Sequence, residues 1–284
     1  MGRTVYVNGD YLPEEDAKTS VFDRGFLFAD GGYEVTSVLE GKLIDFPGHL
    51  ARLHRSLAEL DMPAPASDAE IEVIHRTLIS LDEVVEGMVY MQVTRGAADR
   101  DFAWPAAPSP SLVLFTQSRP IADTAAARDG IRVITVPDIR WGRRDIKTVQ
   151  LLAPSMAKMM ARKAGCDDAW LVEFGFITEG SSNNAWIVTP EGALVTRDLS
   201  PAILQGITRE AVLTYAREAQ MRIEERPFTV EEAQAASEAF ITSASTFVTP
   251  VVEIDGTTLG NGRPGPGARG RREIYLAESR RRAS

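Results

Sequence analysis

Cysteine occurs once in the 284 residues, at Cys166, so no intrachain disulfide can form and a cysteine-rich metal site is excluded. Histidine is nearly as scarce. His49, His54 and His75 all lie in the first third, and no pair has the spacing of a zinc motif. No apolar run approaches the ~18 residues that a membrane span requires. An excess of positive charge is missing too: the formal net charge of −9 argues against nonspecific DNA or RNA binding. The basic tail from Arg269 to Arg282 is the local exception, and its Glu273 and Glu278 suggest a terminal helix laced with ion pairs. Neither GxGxxG nor GxxxxGKS occurs, which removes a doubly wound nucleotide-binding fold for want of its phosphate loop. No period of roughly 20 to 50 residues repeats, which argues against a solenoid. The opening MGRTVYVNGDYLPEED has no signal-peptide pattern, so a reducing cytoplasm is the expected compartment.

What is present is an ordinary globular composition, 44% apolar and 25% charged, in a chain long enough for a large core and two domains. TVYVNGDYL reads as a hairpin around Asn8-Gly9, and GGYEVTSVLEGKLIDF as two β-rich runs joined near Glu40-Gly41. After Pro47, Leu50, Leu53, Leu57 and Leu60 recur at helical spacing. A second helix is expected from Ser67 to Leu81, with Glu70 completing a capping box. Two further strands, VVEGMVYMQVTRG and PSLVLFTQS, close a first domain over 1–117, and 118–130 has the small residues of a connection. A larger second domain is expected over 131–284. It contains the strand IRVITVP, a helix over 153–164, strands, a helix from about Thr208, and a helix capped by Thr229 and Glu232 that ends near Ser237. Strands and helices mix without regular βαβ alternation, so the class is α+β (mixed α/β).

The chemistry concentrates between Asp138 and Thr189. Lys147 lies in a buried-looking segment flanked by Ile146 and Val149, and Glu179 precedes the turn Gly180-Ser181-Ser182-Asn183-Asn184. A lysine that condenses with an aldehyde and a carboxylate that keeps a ring nitrogen protonated are the two groups a pyridoxal phosphate enzyme most needs. By residue physics alone Lys147 reads as a snorkelling lysine or a partner of Asp145, and Glu179 as a surface loop acid.

Seven segments reverse that reading. FDRGFLFADGGYEV, HLARL, VYMQVTRG, RWGRRDIKTVQLL, FITEGSSNNAWIV, ILQGITRE and ITSASTFVTPVVEIDG resemble, in order, those of the fold type IV (class IV) pyridoxal phosphate-dependent aminotransferases. The resemblance implies a two-domain fold in which 131–284 is the cofactor-binding domain and both domains contribute to the cofactor cleft. It also implies pyridoxal 5'-phosphate as cofactor and a homodimer that completes each site at its subunit interface. It makes Lys147 the lysine that holds the cofactor aldehyde and moves the substrate proton. Glu179 becomes the partner of the ring nitrogen, with Ser182 and Asn183 beside it. Phosphate contacts are implied for Gly206, Ile207 and Thr208 at a helix start, for Ser243 and Ala244 in a small-residue turn, and for Arg52. On the leucine-striped helix Arg52 falls off the stripe, so exposure is its alternative.

Tyr33 and Arg100 resemble the substrate side of the branch acting on D-amino acids, which carries VTRG and an arginine four positions after its glycine. Their alternatives are a half-buried strand tyrosine and an ion pair with Asp99 or Asp101. That branch has a histidine two residues beyond the arginine, where this chain has Phe102. One lost charge-assisted bond weakens a carboxylate grip by roughly 1.5–3 kcal/mol, which favours hydrophobic side chains or amines. D-alanine and D-glutamate, with pyruvate and 2-oxoglutarate as acceptors, are the substrates the resemblance implies. A branched-chain L-amino-acid transaminase, an R-selective amine transaminase, aminodeoxychorismate lyase and a cofactor-free binding protein on the same fold are the alternatives.

Overall fold

At the Asn8-Gly9 turn both residues take positive φ, 49° and 116°, and β1 (Thr4–Val7) folds back on β2 (Asp10–Pro13) with Val7 opposite Asp10. That turn matches the natural twist of paired strands, and Asn-Gly reaches it at little steric cost. The computed structural model describes residues 2–284. The chain divides into two units: Met1–Pro120 with Ile146–Gln150 and Arg282–Ser284, and Ile121–Asp145 with Leu151–Arg281.

Unit 1 continues with α1 (Arg24–Phe28), β3 (Gly31–Leu39), β4 (Lys42–Leu43), α2 (Phe46–Glu59), α3 (Asp68–Leu81), β5 (Glu86–Thr94) and β6 (Ser111–Ser118). Its sheet runs β2-β1-β6-β5-β3-β4 and is antiparallel throughout. The two-residue period of the strands puts Val38, Val89, Met91, Val93, Leu112 and Leu114 in one core with Leu50, Leu53 and Leu57 of α2 and Ile71, Ile74 and Leu78 of α3. Ser67 and Glu70 form the full capping box at the start of α3. Tyr33, Tyr90 and Phe115, from the alternate strand positions, stack in a row with centroids 5.6 and 4.9 Å apart.

Unit 2 comprises α4 (Ala125–Asp129), β7 (Ile131–Pro137), α5 (Leu152–Lys163), β8 (Asp168–Glu173), β9 (Phe176–Gly180), β10 (Asn184–Val188), β11 (Leu194–Thr196), α6 (Ile207–Glu218), β12 (Ile223–Glu225), α7 (Val230–Gln234), β13 (Glu238–Ser243), β14 (Phe247–Ile254), β15 (Thr257–Thr258) and α8 (Pro266–Arg282). Its nine-stranded sheet has the order β12-β11-β10-β13-β14-β7-β8-β9, with β15 beside β14. The pairs β14–β7, β7–β8 and β11–β12 are parallel and the rest antiparallel, the mixture expected of an α+β chain. α7 is shorter than its sequence suggests. Thr229 caps it by accepting from Glu232 N at 3.2 Å, but the Glu232 carboxylate turns to Arg226 instead of closing a capping box. Among the described residues no helix is long and apolar enough to cross a membrane, and no group of three or more His, Cys, Asp and Glu is placed to hold a metal ion.

Candidate active site

Lys147 belongs to the five residues of Ile146–Gln150 that lie with unit 1. Its carbonyl accepts from Tyr33 N at 3.1 Å, Val149 N donates to Gly31 O at 3.0 Å, and Lys147 N donates to Ser56 Oγ at 3.3 Å. The first two bonds tie the segment to the start of β3 and the third ties it to α2. The half-buried Nζ sits 4.1 Å from the centroid of the Tyr33 ring, a cation–π contact. Asp145, the acid nearest in sequence, pairs with Arg143 at 3.0 Å, and among the described residues Lys147 makes no ion pair. Tyr33 is itself backed by Tyr90, whose hydroxyl donates to Gln92 Oε1 at 2.8 Å. Burial, with a smaller push from Tyr33, raises the Tyr90 phenol well above its ordinary value, so it stays neutral.

Beside Tyr33, Glu34 points to the other face of β3 and is completely buried. Arg52 grips it with two parallel bonds, Nε to Oε1 at 2.8 Å and Nη2 to Oε2 at 2.7 Å, and His49 Nδ1 lies 2.7 Å from Oε2. Burial pushes the Glu34 carboxyl up, but the Arg52 charge and the bonds from Arg52 and His49 outweigh it and leave it at about 2. Arg52 is therefore a buried, oriented cation rather than a solvated one. His49 and Glu34 escaped the sequence reading. The available signal was the three-residue spacing of His49 and Arg52, which places both on one face of α2.

Arg100 is exposed and pairs with neither Asp99 nor Asp101. Its guanidinium lies 5.4 Å from the Phe28 ring and 5.5 Å from that of Phe102, and the two rings meet edge to face. The loop carrying it is anchored from below. Arg24 Nη1 donates to Asp101 O at 2.6 Å, Arg95 stacks 3.9 Å from the Trp104 ring, and both arginines bond Asp30 at 2.8 Å.

In unit 2, Glu179 is the penultimate residue of β9 and is buried. Its Oε2 accepts from Asn184 Nδ2 at 2.9 Å and from Leu204 N at 3.1 Å, and its Oε1 accepts from Arg140 Nη1. A carboxylate has about four lone-pair sites, so Oε1 keeps room for another donor. Burial is the largest influence on this carboxyl and raises it; Arg140 and the Leu204 N–H pull it down, and Asp138 adds a small push upward. Arg140, Asn184 and the Leu204 N–H were not evident from sequence. Asn183 turns the other way: its Nδ2 donates to Asp168 at 2.8 Å, as Ser181 Oγ does at 2.5 Å, while Ser182 is exposed.

Asn184 also donates to Leu204 O at 2.9 Å, which connects the Glu179 end of β9 to the approach to α6. Gly206 is the N-cap of α6, and no side chain caps that end. The first turn of such a helix offers free N–H groups and positive potential to an anion. A Cβ on Gly206 would lie 2.0 Å from Asn184 Oδ1, so glycine is what lets the chain pass the amide. Thr208 is buried in the first turn of α6. Ser243 ends β13 and organises the next turn: its Oγ accepts from Thr246 N at 3.2 Å and lies 2.8 Å from Thr246 Oγ1, with Ala244 between them in sequence.

Three comparisons with known proteins bear on these geometries. The sequence model of the family described as Amino-transferase class IV matches residues 31–254. D-alanine aminotransferase of Bacillus licheniformis is 36% identical over 263 residues, covering 92% of each chain. The enzyme of the same name from Staphylococcus epidermidis is 37% identical over 264 residues with the same coverage. Among solved structures, the branched-chain aminotransferase of the archaeon Thermoproteus uzoniensis, solved with norvaline, superposes with a TM-score of 0.85 at 26% identity, covering 97% of this chain and 94% of the other. The branched-chain enzyme of Escherichia coli has a TM-score of 0.90 at 22% identity, covering 98% and 95%, a likeness of fold.

Proposed function

Because the chain belongs to the class IV aminotransferases, we propose that it moves an amino group between a D-amino acid and a 2-oxo acid with pyridoxal phosphate as cofactor. The observation that carries this reading is that one chain holds both an amine without an ion-pair partner, Lys147, and a buried carboxylate that keeps an open acceptor site, Glu179. The identity of 36–37% to D-alanine aminotransferases over nearly the whole chain favours D-amino acids over the branched-chain L-substrates, whose enzymes match mainly in fold.

The donor set fits the cofactor. An uncapped helix start passing over Gly206, with Thr208 in its first turn, suits a phosphate, as do the Ser243–Ala244 turn and the Arg52 guanidinium. Glu179 suits a protonated ring nitrogen, and Ser182 and Asn183 stand beside it in sequence. When bound, the cofactor supplies an aldehyde that condenses with amines and a ring that accepts electrons from the bond broken at Cα. Lys147 Nζ is the amine that would hold the cofactor's aldehyde and, once freed, the base that would carry the proton removed from the substrate Cα. Glu179 keeps the ring nitrogen protonated. Tyr33 stands next to the amine, and Arg100 supplies a fork for a substrate carboxylate. The Phe28 and Phe102 rings around Arg100 favour D-alanine and apolar D-amino acids over D-glutamate, because a second carboxylate gains nothing from an aromatic wall.

The test is absorbance of purified holoenzyme titrated separately with D-alanine, L-leucine and an R-configured arylalkylamine, alongside Lys147→Ala. Conversion of the bound cofactor to its amine form by D-alanine alone, with no turnover in the variant, is expected. Conversion by L-leucine or the arylalkylamine alone overturns the D-amino-acid reading, and turnover retained by Lys147→Ala overturns the role of the lysine. The same reading takes the enzyme to be a cytoplasmic homodimer. The lone thiol of Cys166 suits a reducing compartment, and the apolar surface around Phe26 and Phe102 suits a second copy.

A further inference from the structure

A carboxylate as deeply buried as Glu179 is under strong pressure to take a proton, because desolvation penalises its charged form. The largest opposing influence is one guanidinium, with the Leu204 N–H adding to it. Arg140 Nη1 donates to Glu179 Oε1, while the rest of the group is committed elsewhere: Nε donates to Asp138 Oδ1 at 2.9 Å and Nη2 to Asp138 Oδ2 at 2.7 Å. This two-point fork fixes the guanidinium plane and so fixes where Nη1 points.

Asp138 is itself immobilised. It follows directly on β7, its side chain is fully buried, and its backbone N–H donates to Val172 O at 2.8 Å. Thr178 Oγ1 donates to its Oδ2 at 2.8 Å and Arg140 N to its Oδ1 at 3.1 Å. Arg144 Nε lies 3.6 Å from the same Oδ2, but its terminal nitrogens serve Glu173 at 2.7 and 2.8 Å. The charged groups of unit 2 that bear on Glu179 are thus Arg140 in contact, Asp138 behind it, and the Arg144–Glu173 pair beyond. Asn184 Nδ2 and the Leu204 N–H on Oε2 are neutral donors.

We propose that Arg140, aimed by Asp138, is a positioning residue that keeps Glu179 a carboxylate and so sets how firmly, and down to what pH, the cofactor ring is held. The inference rests on the assignment of Glu179 to the ring nitrogen. Its signature is a pair of opposite effects. Removing the cation leaves Glu179 to its burial, so it protonates at higher pH. Removing the charge of Asp138 leaves more of the cation to Glu179, so it protonates at lower pH. A residue that merely packs gives no such opposition.

The experiment is release of pyridoxal phosphate from purified holoenzyme, followed by the cofactor's own absorption over a pH series. It compares the unaltered protein with Arg140→Met, Arg140→Lys, Asp138→Asn and Glu179→Gln. Arg140→Met is expected to move the acid limb of the binding curve upward and, on that limb, to weaken binding about tenfold for each pH unit by which Glu179 titrates higher. Arg140→Lys should restore part of the loss, and Asp138→Asn should move the limb downward. Both single variants moving together, or a limb that stays in place in both, overturns the proposal. Where Arg140→Met yields no folded protein, Asp138→Asn decides alone, and a limb unmoved or raised overturns it. Glu179→Gln holding cofactor as tightly as the unaltered protein overturns the assignment of Glu179 instead. Weakened binding in Glu179→Gln beside unchanged binding in Arg140→Met overturns only the role of Arg140.

Discussion

Two buried titratable residues of unit 1 respond to acid in different ranges. His75 lies wholly inside the core, 4.9 Å from the Phe46 ring, with Nδ1 donating to Ile71 O at 2.8 Å and Nε2 unpartnered. Burial pulls its pKa from 6.5 to about 4, against a small opposing effect of the Ile71 bond. The unfolded chain therefore binds a proton that the folded chain refuses, and stability falls as pH drops from 6.5 to about 4. The full loss is about 3 kcal/mol. Glu34, at about 2 in the folded protein and 4.5 in the unfolded chain, contributes stability above 4.5 that disappears only as pH falls toward 2. Chemical denaturation at pH 7, 5.5 and 4.5 should show the midpoint dropping in the unaltered protein and staying flatter in His75→Phe. Parallel decline of the two proteins would show that another group titrates in this window.

At the scale of elements, α8 reaches the candidate phosphate turn through one side chain. Arg272 Nη1 donates to Thr246 O and Val248 O at 2.7 and 2.6 Å, and Nη2 to Ile121 O and Ala122 O at 2.9 and 2.7 Å. Burial lowers its pKa to about 10 against the opposing pull of the Asp123 charge, and among the described residues it makes no ion pair. One buried cation thus satisfies four carbonyls from two separate stretches of chain, including the turn that Ser243 opens. Arg272→Met should cost about 3 kcal/mol of stability by removing the charged donors from those four carbonyls, and should also weaken cofactor binding. Arg281→Ala, at an exposed pair with Glu278, should change neither. The denaturation midpoint and the cofactor dissociation constant of both variants check this; equal effects would mean the helix is held by something other than Arg272. The terminal helix does carry the expected ion pair at Arg281–Glu278, but the residue that anchors it is an arginine facing inward.

For the whole molecule, Phe22, Phe26 and Phe102 are 57%, 76% and 79% exposed, and Ala98 N donates to Phe22 O at 3.2 Å, which brings the first and last of these segments side by side. Exposed aromatic side chains on neighbouring segments suit an interaction surface, and a second copy is the occupant we propose, because closed symmetry supplies it most simply. Sedimentation should give a single species of twice the chain mass, and Phe22→Ser with Phe26→Ser should shift it to the monomer. A monomer in the unaltered protein at micromolar concentration would end the homodimer reading.

The hairpin at Asn8-Gly9, the leucine stripe of α2 and the Ser67 capping box were legible in the sequence, because each rests on spacing within a few residues, whereas Lys147 and Glu179 were singled out only by the family resemblance of the segments that hold them. Local geometry is set by the covalent chain, and its periods survive in the residue order. The surroundings of those residues were not legible. Arg140 meets Glu179 across 39 residues, Leu204 N across 25, and Arg52 meets Glu34 across 18. The five residues around Lys147 side with β3 of unit 1 although the chain on both flanks belongs to unit 2. By itself the sequence determined which elements form, and through its family resemblance which residues to propose for the chemistry. Only the tertiary structure decided which cation stands beside which buried carboxylate, because sheet pairing and burial, not chain order, set the charge each group feels.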